Sequence, residues 1–399
     1  MRILVFAYAC EPGKGSEPGA GWMWSRMLAR IGETWVVTRA NNRDAIEAEI
    51  GSVPEADNLR FVYVDLPRWA RFWKRGQRGV RLYYLLWQVA ALLKARRLGR
   101  QGRFDLVWHL TMANVWLGSV APLAGRPFVL GPVGGGVAPP MRLLGILGPR
   151  GVAYELGRFI SRTVGRYLNP LSRLAWRRAS LILVNNPETR NWVPKRHRDK
   201  CAVLPHAIIE DAYFSARHPT RARSSEPIAL LAGRILPWKG AALALRALVE
   251  LPEWRLIVCG TGPDEARVRR VAHRLGVYDR TIFLGAVDRD QLIDVMRDRA
   301  DILLHPSLHD DAPFVVVEAL AAGLGVVCLD RGGPPVLGGS SVPISTPGAT
   351  ARALAEEARR SEGRRVVLAP TLDSRLIELK GLLADADLFR ESVPEVSRI

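Results

Sequence analysis

The stretch Ile228-Ala-Leu-Leu-Ala-Gly-Arg-Ile-Leu-Pro-Trp-Lys-Gly240 opens on an unbroken apolar run. Such a run reads as a strand buried on both faces of a parallel sheet. It stops at Gly233, and two cations, Arg234 and Lys239, follow in a glycine-bounded turn. In an open α/β sheet that turn sits at the carboxyl edge of the strands, where ligands are held. Two fixed cations there suit a diphosphate. Asp310 and Glu318, further along the chain, suit the hydroxyls of a sugar. Together the four residues point to a nucleotide-sugar site; a plain surface turn is the alternative for Arg234 and Lys239.

Outward from this stretch, strand and helix patterns alternate twice. The first half offers strands at Ile3–Ala7, Trp35–Thr38, Leu59–Val64, Leu106–Leu110, Phe128–Gly131 and Leu181–Val184, with a helix near Trp22–Ile31. In the second half, strands at Ile228–Ala232, Arg255–Cys259, Thr281–Leu284, Ile302–His305 and Val326–Leu329 alternate with helices at 241–249, 264–275, 288–299 and 314–322. Two βα series imply two parallel sheets with helices on both faces, an α/β fold of two Rossmann-like, doubly wound domains. The first domain is expected over residues 1–215 and the second over 226–370, with 371–399 as a C-terminal helix. The polar stretch Arg217–Pro227 is the natural linker. No internal repeat or low-complexity tract interrupts the pattern.

The 399 residues are 48% hydrophobic with a mean hydropathy of +0.02, which excludes a disordered chain. No apolar run reaches the roughly 18 residues needed to cross a bilayer. The longest, Leu82–Leu93, is broken by Gln88. The N-terminus enters a strand pattern directly and lacks a signal-peptide cleavage site. Cys10, Cys201, Cys259 and Cys328 have neither metal-ligand nor disulfide spacing, and three of them read as small core residues. A reducing cytoplasm is the expected compartment.

Charge is unevenly placed. Arg68–Arg103 and Pro139–Arg178 carry +11 and +7, equal to the whole formal excess of +18. Both stretches also hold large apolar residues, including Trp69, Trp73 and Tyr83 in the first. In the second, Val152, Leu156, Phe159, Ile160, Val164, Tyr167 and Leu168 recur at helical spacing beside Arg158, Arg162 and Arg166. Basic amphipathic helices with aromatic anchors match a surface bound to anionic lipid. A solvated basic face over an ordinary core is the alternative. Nucleic acid is not an expected partner, since no recognised DNA- or RNA-binding motif appears.

A glycine-rich stretch, Cys10-Glu-Pro-Gly-Lys-Gly-Ser-Glu-Pro-Gly-Ala-Gly-Trp22, follows the first strand. Glycines let backbone approach a ligand, and a helix N-terminus attracts anions. Gly15, Ser16, Glu17, Gly19, Ala20 and Gly21 are therefore candidates for an acceptor or phosphate loop, with Ser16 or Glu17 capping the helix. The spacing differs from the dinucleotide fingerprint.

These residues resemble the retaining glycosyltransferases of family four, which have the GT-B fold of two domains facing across a cleft. The likeness rests on Tyr8–Trp22, His109-Leu-Thr111, Gly131-Pro-Val-Gly-Gly-Gly136 and Asn185-Asn-Pro-Glu-Thr189 in the first half. In the second half it runs from Gly233-Arg234 and Lys239-Gly240 through Gly260-Thr-Gly-Pro263, Phe283-Leu-Gly285 and Asp310…Glu318 to Ala319-Leu-Ala-Ala-Gly323. The resemblance implies transfer of a sugar from a nucleotide-diphosphate sugar to an acceptor hydroxyl. It places Gly233, Arg234, Lys239, Gly260, Leu284, Ala312, Pro313, Phe314, Val315 and Glu318 around the donor, and Gly134 and Gly135 in the acceptor or phosphate loop. Arg234 and Lys239 would hold the diphosphate and neutralise the leaving group without a metal. Glu318 would meet the ribose, and Asp310 the transferred sugar. An internal ion pair for Glu318 and a helix cap for Asp310 remain alternatives.

Two departures stand out. Asp310 occupies a position where most of the family has Glu, and Gly131-Pro-Val133 replaces a common His. His109 would supply that imidazole, or is a satisfied core-edge histidine. The triplets Asp288-Arg-Asp290 and Asp385-Ala-Asp387 read as surface acids, so neither metal nor other cofactor is expected. In the family a late helix often crosses back onto the first domain. The basic, aromatic helices suggest a lipid-linked or envelope glycan acceptor on the inner face of a bacterial plasma membrane, the chain being cytoplasmic and peripheral. A nucleotide-sugar epimerase, or a non-catalytic nucleotide- or lipid-binding scaffold, are rival readings.

Overall fold

The structure, a computed structural model, describes residues 1–70, 79–209, 226–363 and 369–389. Most of the linker stretch 217–227, the basic aromatic run 71–78 and the tail 390–399 lie outside the described residues.

The first half runs β1 (Arg2–Phe6), α1 (Ser16–Ala29), β2 (Glu33–Arg39), α2 (Arg43–Glu49), β3 (Leu59–Val64), α3 (Val80–Gln101) and β4 (Leu106–His109). It continues with β5 (Phe128–Val133), α4 (Gly148–Leu168), α5 (Pro170–Arg178), β6 (Leu181–Val184), α6 (Pro187–Trp192) and β7 (Cys201–Val203). The second half comprises β8 (Ile228–Ala232), α7 (Ala241–Val249), β9 (Arg255–Cys259), α8 (Glu265–Arg274), β10 (Thr281–Gly285) and α9 (Arg289–Asp294). After these come β11 (Ile302–His305), α10 (Phe314–Ala321), β12 (Gly325–Leu329), β13 (Ser340–Val342), α11 (Pro347–Ser361) and α12 (Leu372–Asp385). The two sheets are parallel throughout, with orders β3-β2-β1-β4-β5-β6-β7 and β10-β9-β8-β11-β12-β13. Each order reverses between its first and fourth strands, and that reversal opens a crevice at the carboxyl edge.

Strands β4, β6, β11 and β12 are buried along their whole length, as apolar runs covered on both faces must be. Six tryptophans, Trp22, Trp24, Trp87, Trp108, Trp176 and Trp254, are almost completely buried. Three place their indole N–H on backbone carbonyls: Trp24 on His206, Trp87 on Val64 and Trp108 on Gly131. Burial of each ring thus leaves no stranded donor at those three sites.

Helix α1 begins at Ser16, six residues before the start expected from the pattern. Half of the glycine-rich stretch is therefore helix. Proline is tolerated in a first helical turn, so Pro18 does not block it. A Cβ at Gly21 would lie 2.0 Å from the Ala9 carbonyl oxygen, and one at Gly19 would lie 1.9 Å from that of Lys14. These two glycines serve close packing. Strands β7 and β13 are only three residues each, too short for a periodic signal.

Helix α12 lies against α1 in the first half. Ile209 N–H donates to the Pro370 carbonyl at 3.0 Å, Arg30 pairs with Asp373, and Leu372, Leu379 and Leu383 are buried in the same apolar cluster as Trp24. No helix among the described residues is long and apolar enough to cross a membrane.

The basic helices have an unexpected orientation. On α4 the apolar side chains face solvent: Leu156, Phe159, Ile160, Val164, Tyr167 and Leu168 are each about half exposed or more. Arg162 turns inward, donating to the carbonyls of Gly136 and Val137 and stacking 4.3 Å from the Trp192 ring. Helix α3 also exposes Leu82, Leu86, Val89 and Leu93. It nonetheless packs Tyr83, Tyr84, Trp87, Ala91 and Ala95 into the core, so an ordinary core face describes it in part, whereas on α4 the apolar stripe is exposed.

Candidate active site

The two crevices face each other across one cavity of about 670 Å³. Gly15, Ser16, Glu17 and Ala20 line it from the loop and helix after β1; Thr111 and Asn114 come from the loop after β4. Gly233, Arg234 and Lys239 enter from the turn after β8, and Asp310 through Val315, with Glu318, from the segment after β11. Every contributor lies at a strand's carboxyl edge or in the helix beyond it, because the topology sends both switch points to one cleft.

Arg234 is exposed to the cavity, and among the described residues its guanidinium has no partner. The turn that carries it depends on Gly240, whose φ is +79° and whose added Cβ would lie 2.0 Å from the Pro306 carbonyl oxygen. Lys239 Nζ is 2.5 Å from Asp310 Oδ2, and the same oxygen meets His305 Nε2 at 3.1 Å. Burial pushes the Asp310 carboxyl upward, but the Lys239 ammonium and the His305 contact outweigh it and hold the group well below the usual carboxylate range. Asp310 does not cap a helix: the residue before α10 is Pro313, and no side chain caps that end.

Glu318 is buried, with Arg289 Nε at 3.4 Å from its Oε1. Burial raises its pKa and Arg289 lowers it, with a net rise. The internal ion pair is thus present, while the carboxyl still lines the cavity. Two helix N-termini also open here. Neither Ser16 nor Glu17 caps α1, whose N-cap is Gly15 without a side-chain bond. The free N–H groups at the starts of α1 and α10 leave the cavity rich in anion-binding donors. Glu17, in the first turn of α1, has its pKa raised by burial against the hydrogen bonds of Met112 and Ala113.

Several expected residues stand elsewhere. His109 is 2% exposed and outside the cavity; Nε2 meets the Tyr84 hydroxyl and Nδ1 the Ser119 hydroxyl, both at 2.9 Å. Burial pushes its pKa down to about 3, so it is a neutral, satisfied core histidine and its catalytic assignment is withdrawn. Gly19 and Gly21 pack inside α1, as above. Gly260 supports the Gly233 turn, since a Cβ there would meet the Gly233 carbonyl oxygen at 2.1 Å. Leu284 packs on the second-domain core and does not line the cavity. Gly134 and Gly135 do line it, but Gly135 N–H already donates to Asp311 Oδ2 at 2.8 Å. That loop is closed by a carboxylate of the other domain and is not a free phosphate cradle.

Three cavity residues, His206, Asp311 and Asn185, are not among the residues predicted for the site. His206 is the imidazole in the cleft; Asn185 Oδ1 accepts from its Nδ1 at 3.0 Å and from its backbone N–H at 2.9 Å. With Nδ1 donating, Nε2 is an acceptor. Burial, the largest influence, lowers its pKa to about 4, so the ring is neutral near pH 7. Asp311 bridges the domains, receiving Gly135 as above while its carbonyl accepts from Asn186 at 3.0 Å. Asn185 directly follows the apolar strand β6, and a polar residue just past such a run was the available signal.

Fold and cavity together define a GT-B protein, two Rossmann-like domains with the ligand site between their switch points. The chain superposes on Anabaena HepE in complex with UDP and glucose with a TM-score of 0.58 at 18% identity, covering 96% of this chain and 99% of that one. For a sucrose-phosphate synthase from Thermosynechococcus elongatus the values are 0.61 and 16%, covering 96% and 98%. At the sequence level, residues 214–360 match the family model for glycosyl transferases group 1. The chain is 37% identical over 169 residues to a D-inositol 3-phosphate glycosyltransferase of Mycolicibacterium smegmatis, 39% of this chain and 38% of the relative. It therefore spans well under half the length of that curated relative.

Proposed function

We propose that the chain is a retaining, metal-independent glycosyltransferase of family four, moving a sugar from a nucleoside-diphosphate sugar to an acceptor hydroxyl. One observation carries this reading: the free Arg234 guanidinium, Lys239 and two uncapped helix N-termini converge on a single cavity between the domains. That set of donors suits a diphosphate, and the UDP-bound relative of like fold supports it.

Arg234 grips phosphate oxygens in its planar fork, and Lys239 moves as a point charge from Asp310 to the leaving diphosphate. Glu318 meets a ribose hydroxyl, while His206 Nε2 and Asp310 accept hydroxyls of the transferred sugar. The acceptor oxygen attacks the anomeric carbon on the face from which the diphosphate departs. The bond from that carbon to the β-phosphate oxygen breaks, and the released phosphate takes the acceptor's proton. The protein positions both reactants and stabilises the charge that develops on the diphosphate. No divalent ion is needed when side-chain cations and helix N-termini do this.

The acceptor is a lipid-linked or envelope glycan at an anionic membrane surface, on the cytoplasmic side. The exposed apolar stripes of α3 and α4 support this, with exposed Arg142, Arg150, Arg173 and Arg177 around the second.

Incubating the purified chain with UDP-, GDP- and ADP-sugars and an extracted lipid acceptor, with and without EDTA, tests the proposal. Transfer should survive EDTA and fall about a hundredfold or more in Arg234→Ala and Lys239→Ala, the usual cost of removing one such donor. Dependence on a divalent ion, or full activity in both variants, would overturn the assigned chemistry. An epimerase would isomerise the donor with no acceptor present, and a scaffold would bind without turnover.

A further inference from the structure

A second cavity, of about 550 Å³, lies on the seam between the domains, away from the donor cleft. The first domain contributes Gly145 through Arg150; the second contributes Arg246, Pro263, Asp264, Arg267, Arg270 and Arg274 among others. Five arginines thus line it against one carboxylate. That carboxylate is consumed, since Arg267 Nε and Nη2 donate to the two oxygens of Asp264 at 2.7 and 2.6 Å. Among the described residues, Arg246 and Arg270 each bond one backbone carbonyl, Ala242 at 3.0 Å and Ala266 at 3.3 Å, leaving most of their N–H groups without a described partner. Arg150 and Arg274 are exposed and, among the described residues, have no partner. Like charges crowded around a hollow repel one another, and a multivalent anion relieves that repulsion while filling the guanidinium forks.

We propose that this arginine-lined cavity is a second anion site, taking a ligand with two or more phosphate groups, whose occupancy ties the two domains together. The volume exceeds what a single phosphate needs, and the lining comes from both sides of the seam. Arg267 already spans it, with Nη1 donating to the Ile146 carbonyl at 2.7 Å. The segment that borders the cavity runs into α4, which packs on the turn and loop behind the donor cleft. Tyr154 stacks 4.4 Å from the Trp238 ring, between Arg234 and Lys239 in the chain, and Glu155 meets His309 at 2.6 Å, next to Asp310. An anion holding Arg150 to Arg270 and Arg274 therefore steadies the helix that braces the donor turn.

The site stands apart from the transfer reaction and is tested with the cleft disabled. Inorganic pyrophosphate is titrated calorimetrically into the full chain carrying Arg234→Ala and Lys239→Ala. Saturable binding is expected, weaker at high salt, and about tenfold weaker for each of Arg150→Ala, Arg270→Ala and Arg274→Ala added to that background. These three side chains are solvent-accessible, so a melting curve should show the fold intact. No binding in the parent, or equal binding in the triple variant, overturns the site. Pyrophosphate should also slow hydrogen exchange in 145–150; unchanged exchange overturns the tie between domains. Phosphatidylglycerol vesicles then assign the source. Displacement of pyrophosphate points to a lipid-borne phosphate and retention to a soluble one, and either result supports the site.

Discussion

Replacing Asp310 by Asn should tighten binding of a nucleoside diphosphate while nearly abolishing sugar transfer. In the unliganded protein the Lys239 ammonium is held 2.5 Å from a partly buried carboxylate that also touches His305. A diphosphate must compete with that carboxylate for Lys239. Asparagine keeps the shape and an acceptor oxygen but removes the charge. A hydrogen bond to a charged group is worth about 1.5–3 kcal/mol against about 1 kcal/mol for a neutral one. The variant therefore releases on the order of 1.5 kcal/mol, which corresponds to roughly tenfold tighter UDP binding. It leaves Lys239 poorly compensated, so the unliganded fold should lose stability. Removing one partner of a buried pair costs about 3–5 kcal/mol, and the lower end applies because the Lys239 side chain is 26% exposed. Calorimetry with UDP and thermal melting with and without it read the two effects together: a lower Tm alone, and a larger ligand-induced rise. Transfer should fall about a hundredfold, since the sugar contact is lost as well. Weaker UDP binding in Asp310→Asn would refute the competition, and with it the movement of Lys239 between carboxylate and diphosphate.

Other expectations follow from the same geometry. Burial holds His109 and His206 below their ordinary pKa, to about 3 and about 4, so the unfolded chain takes up protons that the native chain refuses. Stability is then full above about pH 6.5 and falls as pH drops toward those values, by about 2 kcal/mol for each histidine at pH 5. Denaturant titrations at several pH values should show that decline, and His109→Gln should make it shallower; an unchanged slope would contradict the buried neutral ring. Replacing Leu156, Phe159 and Ile160 by Ser should abolish flotation with anionic liposomes at an unchanged Tm, because these side chains already face solvent. Asp311→Ala removes the carboxylate that accepts from Gly135 and should leave the Gly134–Gly135 loop faster in hydrogen exchange. Its effect on transfer should appear in kcat and KM together, as a domain-closure defect often does.

Much of the architecture is legible along the chain. Apolar runs such as Ile302-Leu-Leu304 and Val326-Val-Cys-Leu329 mark parallel strands, since burial on both faces erases the alternation seen in half-exposed strands. The turn residues Arg234, Lys239 and Gly240, and the polar residues after β11, are visible because punctuation follows each run. Less legible are events that depend on a neighbour distant in sequence. Glycines at 19 and 21 look like a ligand loop until the carbonyls of Lys14 and Ala9 are seen against them. The sequence points to His109 as the cleft imidazole, whereas packing buries it beneath Tyr84 and brings His206, which no motif marked, to the cleft.

The sequence by itself determined two parallel sheets, their carboxyl-edge turns and the cations placed there, because backbone pairing and local burial impose patterns a few residues long. The tertiary structure alone decided which side of α4 meets solvent, that Asp310 holds Lys239, that Asp311 closes the Gly134–Gly135 loop, and that five arginines from two domains share a cavity. Those outcomes depend on distances between residues tens to hundreds of positions apart, and no local periodicity encodes them.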